Sequence, residues 1–397
     1  MELKKIAICG SVDDGKSTLL GRLMFELGNY TSDKLEEVER VSKKAGKMKL
    51  DYSLFTDGLM AEREQGITID VAHLYMTYKN TRIIWADAPG HEQYTRNMVT
   101  AASGANAALI LSDVSRPMTK QFRRHLDVLQ VLRIPRVLVC VNKLDLVNND
   151  AEKYEERKRE IEQLLQDVSG QQIDFVPVSA LEGLNLIELD TSYFKQNQLT
   201  VLSWIDSLQT INTKRKGFYA QIQAAIHQGG VNRSYQTWIY DGALCKGDVL
   251  YVGHDQLEVV VQEIQKFGKE IPSAHAGEAI NIVLDRDVDI SRGSILTKIS
   301  GNLNNLVEVE LFNLDNKKEL VTRKSYLLRQ GIFETKMRIE HIDGGKVVAT
   351  NERKNAVLRL ASPLAISVRE SVESSGFILI DESSNATCAL GILNSNN

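Results

Sequence analysis

No apolar run in this sequence approaches the roughly 20 residues that a bilayer-spanning helix requires. The opening stretch, MELKKIAICG, passes directly from a short apolar segment into a glycine-rich loop. It has neither the longer apolar region nor the small-residue cleavage site of a secretory leader, so a cytoplasmic protein with no membrane partner is expected. Cysteine is scarce and scattered. Cys9, Cys140, Cys245 and Cys388 form no CxxC pair, which argues against a zinc knuckle or a disulfide framework. Cys9 and Cys140 lie inside apolar runs and are expected to be buried free thiols. Basic excess is absent too: 48 Lys and Arg face 52 Asp and Glu, and no segment carries the positive footprint of a nucleic-acid binder, so no nucleic-acid partner is expected. There is no low-complexity tract and no repeat.

The 397 residues suggest two to four domains. A hydrophobic fraction of 43% and a charged fraction of 25% are ordinary for a soluble globular protein. In the first half, short β-branched runs at 5–9, 71–78, 82–86, 107–112, 136–141 and 173–178 alternate with helical patterns at 17–27, 33–45, 93–102, 120–132, 151–167 and 200–208. This alternation predicts a mostly parallel sheet covered on both faces by helices. From Gly217 the pattern changes to short strands broken by Gly, Asn and Asp (FYAQIQAAI, QTWIYDGAL, KGDVLYVG, LEVVVQEIQKF, GEAINIVL, GSILTKI), which predicts a small all-β barrel. A second such region offers VEVELFNL, SYLLRQG, ETKMRIEHI, KNAVLRLA, LAISVRE and FILIDE. The expected domains are therefore 1–213, 214–300 and 301–397: an α/β P-loop domain followed by two β-barrels.

Gly10-Ser11-Val12-Asp13-Asp14-Gly15-Lys16-Ser17 fits G-x-x-x-x-G-K-[ST], after an apolar strand and before a helix. The glycines let backbone N–H groups wrap phosphates, and the helix amino terminus adds the positive end of its dipole. Residues Gly10 to Thr18 are the phosphate-binding candidates, with Lys16 reaching the β- and γ-phosphates and Ser17 ligating Mg²⁺. Asp87-Ala88-Pro89-Gly90-His91 follows the strand RIIWA. Asp87 there suits the task of holding Mg²⁺ through water, the Gly90 amide could meet the γ-phosphate, and His91 stands where other GTPases orient the attacking water. Asn142-Lys143-Leu144-Asp145 follows RVLVCV. The Asp145 carboxylate can accept two hydrogen bonds from guanine, a pair of donors that adenine lacks, so GTP is favoured over ATP. Asn142 would tie this loop to the phosphate loop, Lys143 would cover the base, and Ser179-Ala180-Leu181 would supply an N–H for guanine O6. Thr68, in Gly66-Ile67-Thr68-Ile69, is the candidate switch threonine, binding Mg²⁺ and the γ-phosphate only in the GTP state. Catalysis is thus expected from His91, Thr68 and Lys16, metal ligation from Ser17, Thr68 and Asp87, and GTP, GDP and Mg²⁺ as cofactors.

Taken together, these motifs resemble the translation-factor GTPases. The chain is more similar still to the family of sulfate adenylyltransferase subunit 1, the regulatory GTPase of two-subunit ATP sulfurylase. The likeness rests on Gly10–Thr18, where elongation factors usually have His at the place of Ser11, on Asp51-Tyr52-Ser53-Leu54, and on Ala61–Ala72. It continues in His91–Met98, Asp289–Gly293, Gly376–Asp381 and Asn385-Ala386-Thr387. The resemblance implies a G domain with two β-barrels and a partner, the catalytic small subunit, on which ATP and sulfate bind. GTP hydrolysis would drive the uphill synthesis of adenylyl sulfate. Val12 and Ile67 match positions that form an apolar gate before the catalytic histidine in elongation factors. Asp87-Ala88 departs from the commoner Asp-Thr, 186–200 departs from the family's segment there, and the last barrel reads as trimmed. From the sequence alone, a translation factor carrying aminoacyl-tRNA, or a GTPase subunit serving the adenylylation of another substrate, remains an alternative.

Overall fold

A computed structural model describes residues 2–46, 49–56, 72–88, 98–99, 102, 105–165, 171–194, 198–208, 218–227, 233–253, 256–300, 303–315, 317–365 and 376–394. The chain forms two compact units, Met1–Ile211 and Asn212–Asn397.

The first unit is built on six strands: β1 (Glu2–Gly10), β2 (Ala72–Tyr78), β3 (Thr81–Asp87), β4 (Ala107–Asp113), β5 (Arg136–Asn142) and β6 (Gln172–Pro177). Their order is β2-β3-β1-β4-β5-β6, with only the edge strand β2 antiparallel. Runs such as AALILSD in β4 are buried at every residue, as a parallel strand covered on both faces must be. The helices are α1 (Lys16–Glu26), α2 (Ser32–Lys44), α3 (Lys120–Val131), α4 (Ala151–Leu164) and α5 (Val201–Ser207). Their starts are set by side-chain caps. Thr119 accepts from Phe122 N at 3.0 Å, Asp150 from Glu152 N at 2.9 Å, and Thr200 forms a reciprocal box with Ser203. The core runs from Ile6, Ile8 and Trp85 through Leu109 and Leu138 to Trp204.

Because β1 lies between β3 and β4, the connections leave it in opposite directions, and the crevice at such a switch point is where open α/β sheets bind ligands. Register places Ile8 beside Asp87, Gly10 beside Leu111, and Asp113 beside Asn142. The carboxyl ends of four strands thus carry Gly10, Asp87, Asp113 and Asn142 to one edge.

The second unit holds two barrels. The first comprises β7 (Tyr219–His227), β8 (Arg233–Asp241), β9 (Ala243–Cys245), β10 (Val249–Val252), β11 (Leu257–Lys266), β12 (Lys269–Glu270), β13 (Ser273–His275), β14 (Ala279–Leu284) and β15 (Ile295–Thr297). It runs β10-β15-β7-β8-β14-β11, and the pairing of β10 with β11 closes it. The second comprises β16 (Leu303–Asn313), β17 (Leu320–Val321), β18 (Ser325–Gln330), β19 (Phe333–Ile342), β20 (Val347–Val348), β21 (Arg353–Ala365), β22 (Gly376–Asp381) and β23 (Ala386–Leu393). It closes as β16-β21-β19-β18-β22-β23. Each barrel has its own core, the first around Ile222, Tyr235 and Ile282, the second around Leu311, Leu328 and Leu358. Closure removes sheet edges, which explains how such short strands persist.

Some details differ from the sequence reading. The run KNAVLRLA extends through Pro363 into the first two residues of LAISVRE, because β21 continues to Ala365, and 366–370 lie outside the described residues. The proline is tolerated because the ladder with β16 shifts register between Asn304 and Leu306, leaving Pro363 at an irregularity. β23 has no counterpart among the expected strands. Its last six residues are all buried, so it shows no polar alternation to read.

Candidate nucleotide site

The phosphate loop leaves β1 at Gly10 and enters α1 at Lys16. Gly15 has φ +97°, and a Cβ there would lie 2.5 Å from Asn142 Nδ2, so no side chain fits without displacing the base-reading loop. The first turn of α1 has N–H groups without intrahelical partners, a natural anion site. Lys16 is buried and donates to Gly10 O at 2.9 Å and Ser11 O at 3.1 Å, so its ammonium lies across the loop. Asp14 accepts from Ser11 N at 2.6 Å and braces the same turn. Asp87, at the end of β3, is 4% exposed. Ala88 is fully buried and donates its N–H to Ile8 O at 3.0 Å. This donor set fits a hydrated divalent cation on a nucleotide: a hydroxyl at the helix start, a buried carboxylate on the neighbouring strand, and a loop that a Cβ at Gly15 would block. Behind the loop, burial pushes the Cys9 thiol up to about 12, so it is no nucleophile. The same burial, with Lys16 and Arg124 adding to it, pushes His125 on α3 down to about 3.

The residues expected to read the base lie together at the ends of β5 and β6. Asn142 Nδ2 donates to Asp14 O at 2.8 Å, tying β5 to the phosphate loop. Ser179 Oγ donates to Asp145 Oδ1 at 2.5 Å and orients the carboxylate. Asn142 Oδ1 accepts the Ala180 N–H at 3.0 Å, so within Ser179–Leu181 that amide is engaged by protein. Lys143 has φ +64° and pairs with Asp113 at 2.8 Å. Burial opposes the Asp113 charge, but bonds from Lys143 and Ser115 hold its carboxyl below the usual range. Thr68, Pro89, Gly90 and His91 lie outside the described residues, as do Ile67 and most of the helix expected at 93–102.

Several residues of this neighbourhood escaped the sequence reading. Arg116 donates to Val12 O and, at 2.7 Å, to Asp14 Oδ1. Arg157 on α4 donates to Ser112 Oγ, Asp113 O and Arg116 O. Arg22 on α1 bonds Tyr52 Oη at 3.1 Å and Leu181 O at 2.9 Å, and its guanidinium lies 4.6 Å from the Tyr52 ring centre. The chain before the expected switch is docked on α1 so closely that a Cβ at Gly21 would sit 1.8 Å from Tyr52 O. The signal available for Asp113 and Arg116 was their position, at and just past the carboxyl end of a fully buried strand.

Residues 1–216 match the elongation factor Tu GTP binding domain, a domain that binds GTP and GDP. Sulfate adenylyltransferase subunit 1 of Shewanella woodyi is 32% identical over 410 residues, covering 99% of this chain and 87% of that protein. The protein of the same name from Tolumonas auensis is 36% identical over 414 residues, covering 98% and 86%. Among solved structures, the GTPase-like domain of S. cerevisiae Ski7, bound to GDP and inorganic phosphate, aligns with TM-score 0.61 at 14% identity, covering 99% of this chain and 97% of that one. Bacterial selenocysteine-specific elongation factor EF-Sec aligns with TM-score 0.52 at 21% identity, covering 99% and 58%. At these identities the two structures speak for the fold.

Proposed function

This chain belongs to the family of sulfate adenylyltransferase subunit 1, and from that premise we propose that it is the GTPase subunit of a two-subunit ATP sulfurylase. A chain named as subunit 1 by its relatives works with a partner subunit. In this reading the partner is the catalytic small subunit, which joins ATP and sulfate into adenylyl sulfate and diphosphate. The present chain hydrolyses GTP to GDP and phosphate and couples that release to the uphill adenylylation. The observation that carries the reading is the identity of 32% to 36%, sustained over 98% to 99% of the chain rather than over its GTP-binding domain alone.

The residues take these roles. Backbone N–H groups of 13–18 cradle the phosphates, and Lys16 leaves the Gly10 and Ser11 carbonyls to meet them. Ser17, Thr68 and Asp87 would hold Mg²⁺, which neutralises charge on the phosphate oxygens when bound. His91 orients the attacking water. Asp145 reads guanine N1–H and the exocyclic amine, Lys143 covers the base, and a backbone N–H from Ser179–Leu181 meets O6. Thr68 senses the γ-phosphate, and a switch of this kind does work only where its two states bind the partner differently.

The test mixes the chain with its small subunit and follows adenylyl sulfate and phosphate release together. Product accumulation should rise when GTP is added, and should rise less with a slowly hydrolysed GTP analogue. Equal accumulation with and without GTP would refute the coupling.

A further inference from the structure

A line of alternating charges runs behind the phosphate loop. Lys143 pairs with Asp113 at 2.8 Å, Asp113 with Arg116 Nε at 3.2 Å, and Arg116 Nη2 with Asp14 at 2.7 Å. The same Nη2 donates to the Val12 carbonyl. The line therefore begins on the base-reading loop and ends inside the phosphate loop. Both carboxylate side chains are 3% exposed, whereas Arg116 is 36% exposed. Arg157 fixes the segment from behind through Asp113 O and Arg116 O. A guanidinium is a rigid planar fork, able to hold a carbonyl and a carboxylate at a set angle, which a lysine ammonium cannot do.

We infer that Arg116 is a positioning residue for the nucleotide phosphates, holding residues 12–14 in binding shape and cancelling the charge of Asp14 beside them. This rests on reading Gly10–Thr18 as the phosphate cradle. Two effects combine. The geometric one is the anchoring of the Val12 carbonyl, which fixes the peptide N–H groups that follow. The electrostatic one is Asp14, a nearly buried carboxylate that already takes the Ser11 N–H at 2.6 Å. Left without its counter-charge, it would repel the incoming phosphates. Base identity is not part of Arg116's task, because Asp145 makes no contact with this line.

Titration of the full chain with a fluorescent GDP, with dissociation followed by stopped flow, separates the effects. Arg116→Ala should weaken GDP and GTP alike by about 10- to 100-fold, mostly through faster dissociation. The preference for GDP over xanthosine diphosphate should hold, and so should the nucleotide-free melting curve. Arg116→Lys keeps the charge without the fork and should fall between. The decisive comparison is Arg116→Ala with Asp14→Asn: the double variant should bind GDP at least about threefold tighter than Arg116→Ala alone, because the uncompensated charge is gone. GDP affinity within twofold of wild type in Arg116→Ala overturns the inference, as does a double variant that binds no tighter than the single. If Arg116→Ala does not fold, Arg116→Lys decides. Weakened GDP binding with unchanged nucleotide-free melting supports the inference, and unchanged affinity overturns it. A wild-type chain that bound no GDP would overturn this inference together with the cradle reading beneath it.

Discussion

The two units bury polar side chains of different kinds. Among the described residues, every buried lysine and arginine (Lys4, Lys16, Arg124 and Arg157) lies in the first unit, together with buried Asp14, Asp87 and Asp113. In the second unit the buried polar groups are mostly neutral, among them Gln221, Thr237, Asn313 and Thr335, and its two buried carboxylates, Asp241 and Asp381, have no buried lysine or arginine beside them among the described residues. Burying a charge is costly unless it is paired, so the gathering of Asp14, Lys16, Asp87 and Asp113 at one sheet edge marks a candidate place for a charged ligand. Neutral buried amides instead satisfy backbone groups that a barrel bend leaves open. Asn313 does this by donating to Lys318 O and Val348 O, both at 3.0 Å, while accepting from Asp315 N at 2.9 Å. Asn313 thus serves the fold, whereas the buried charges of the first unit gather at the candidate site.

Substitutions can break this contrast. The largest effect is expected at His91. His91→Ala should lower GTP turnover by roughly 10²–10⁴-fold while GTP affinity changes little. Turnover near the wild-type rate at saturating GTP would reduce His91 to a turn residue. Next comes Asp145→Asn, which exchanges an acceptor pair for a mixed donor and acceptor and should weaken GTP by about 2–4 kcal/mol. Xanthosine triphosphate should then bind better, and an unchanged GTP affinity would remove Asp145 from base reading. In the second unit, Asn313→Ala should cost roughly 1–3 kcal/mol of stability by stranding the Lys318 and Val348 carbonyls. GDP affinity should not move. Urea melts read by segment-resolved hydrogen exchange check the first part. A loss of GDP affinity equal to that of an edge substitution would break the division of labour.

The contrast also explains which features the sequence reveals. The strands and helices of the first unit are legible because their burial is periodic or continuous over lengths that differ between the two classes. The phosphate and guanine motifs are legible because each is a contiguous stretch of recognisable residue types. Asp113, Arg116, Arg157 and Arg22 are not, since each is a single charged residue whose partner comes from a distant segment: Arg116 meets Val12, and Arg22 meets Leu181. Only the sheet order brings them together. In the barrels, strands with alternating burial such as β19 are readable, whereas β23, buried along its last six residues, carries no alternation.

The smallest predicted effect concerns acid, and it separates the units again. His125, buried in the first unit, titrates at about 3 in the folded chain, mainly through burial. The unfolded chain takes up that proton near 6.5, so folding stability is complete above this value and is lost as the pH falls below it. Between pH 6 and pH 5 this should remove about 1 kcal/mol from the first unit. Asp381 in the second unit loses its contribution in a more acidic window and for a different reason. Its carboxylate accepts bonds from Lys324 and Ser383, which hold it below the usual carboxylate range. Its contribution is complete above the unfolded value of about 3.8 and is lost only as the pH falls below that value toward the lower folded one. Between pH 6 and pH 5, then, hydrogen exchange corrected for intrinsic rates should accelerate in peptides from 107–142 and not, through Asp381, in those from 317–365. His125→Leu should flatten the slope in the first unit even if its overall stability falls. A slope that survives this substitution would mean that another group carries the acid sensitivity, and the buried imidazole would lose its place in the argument.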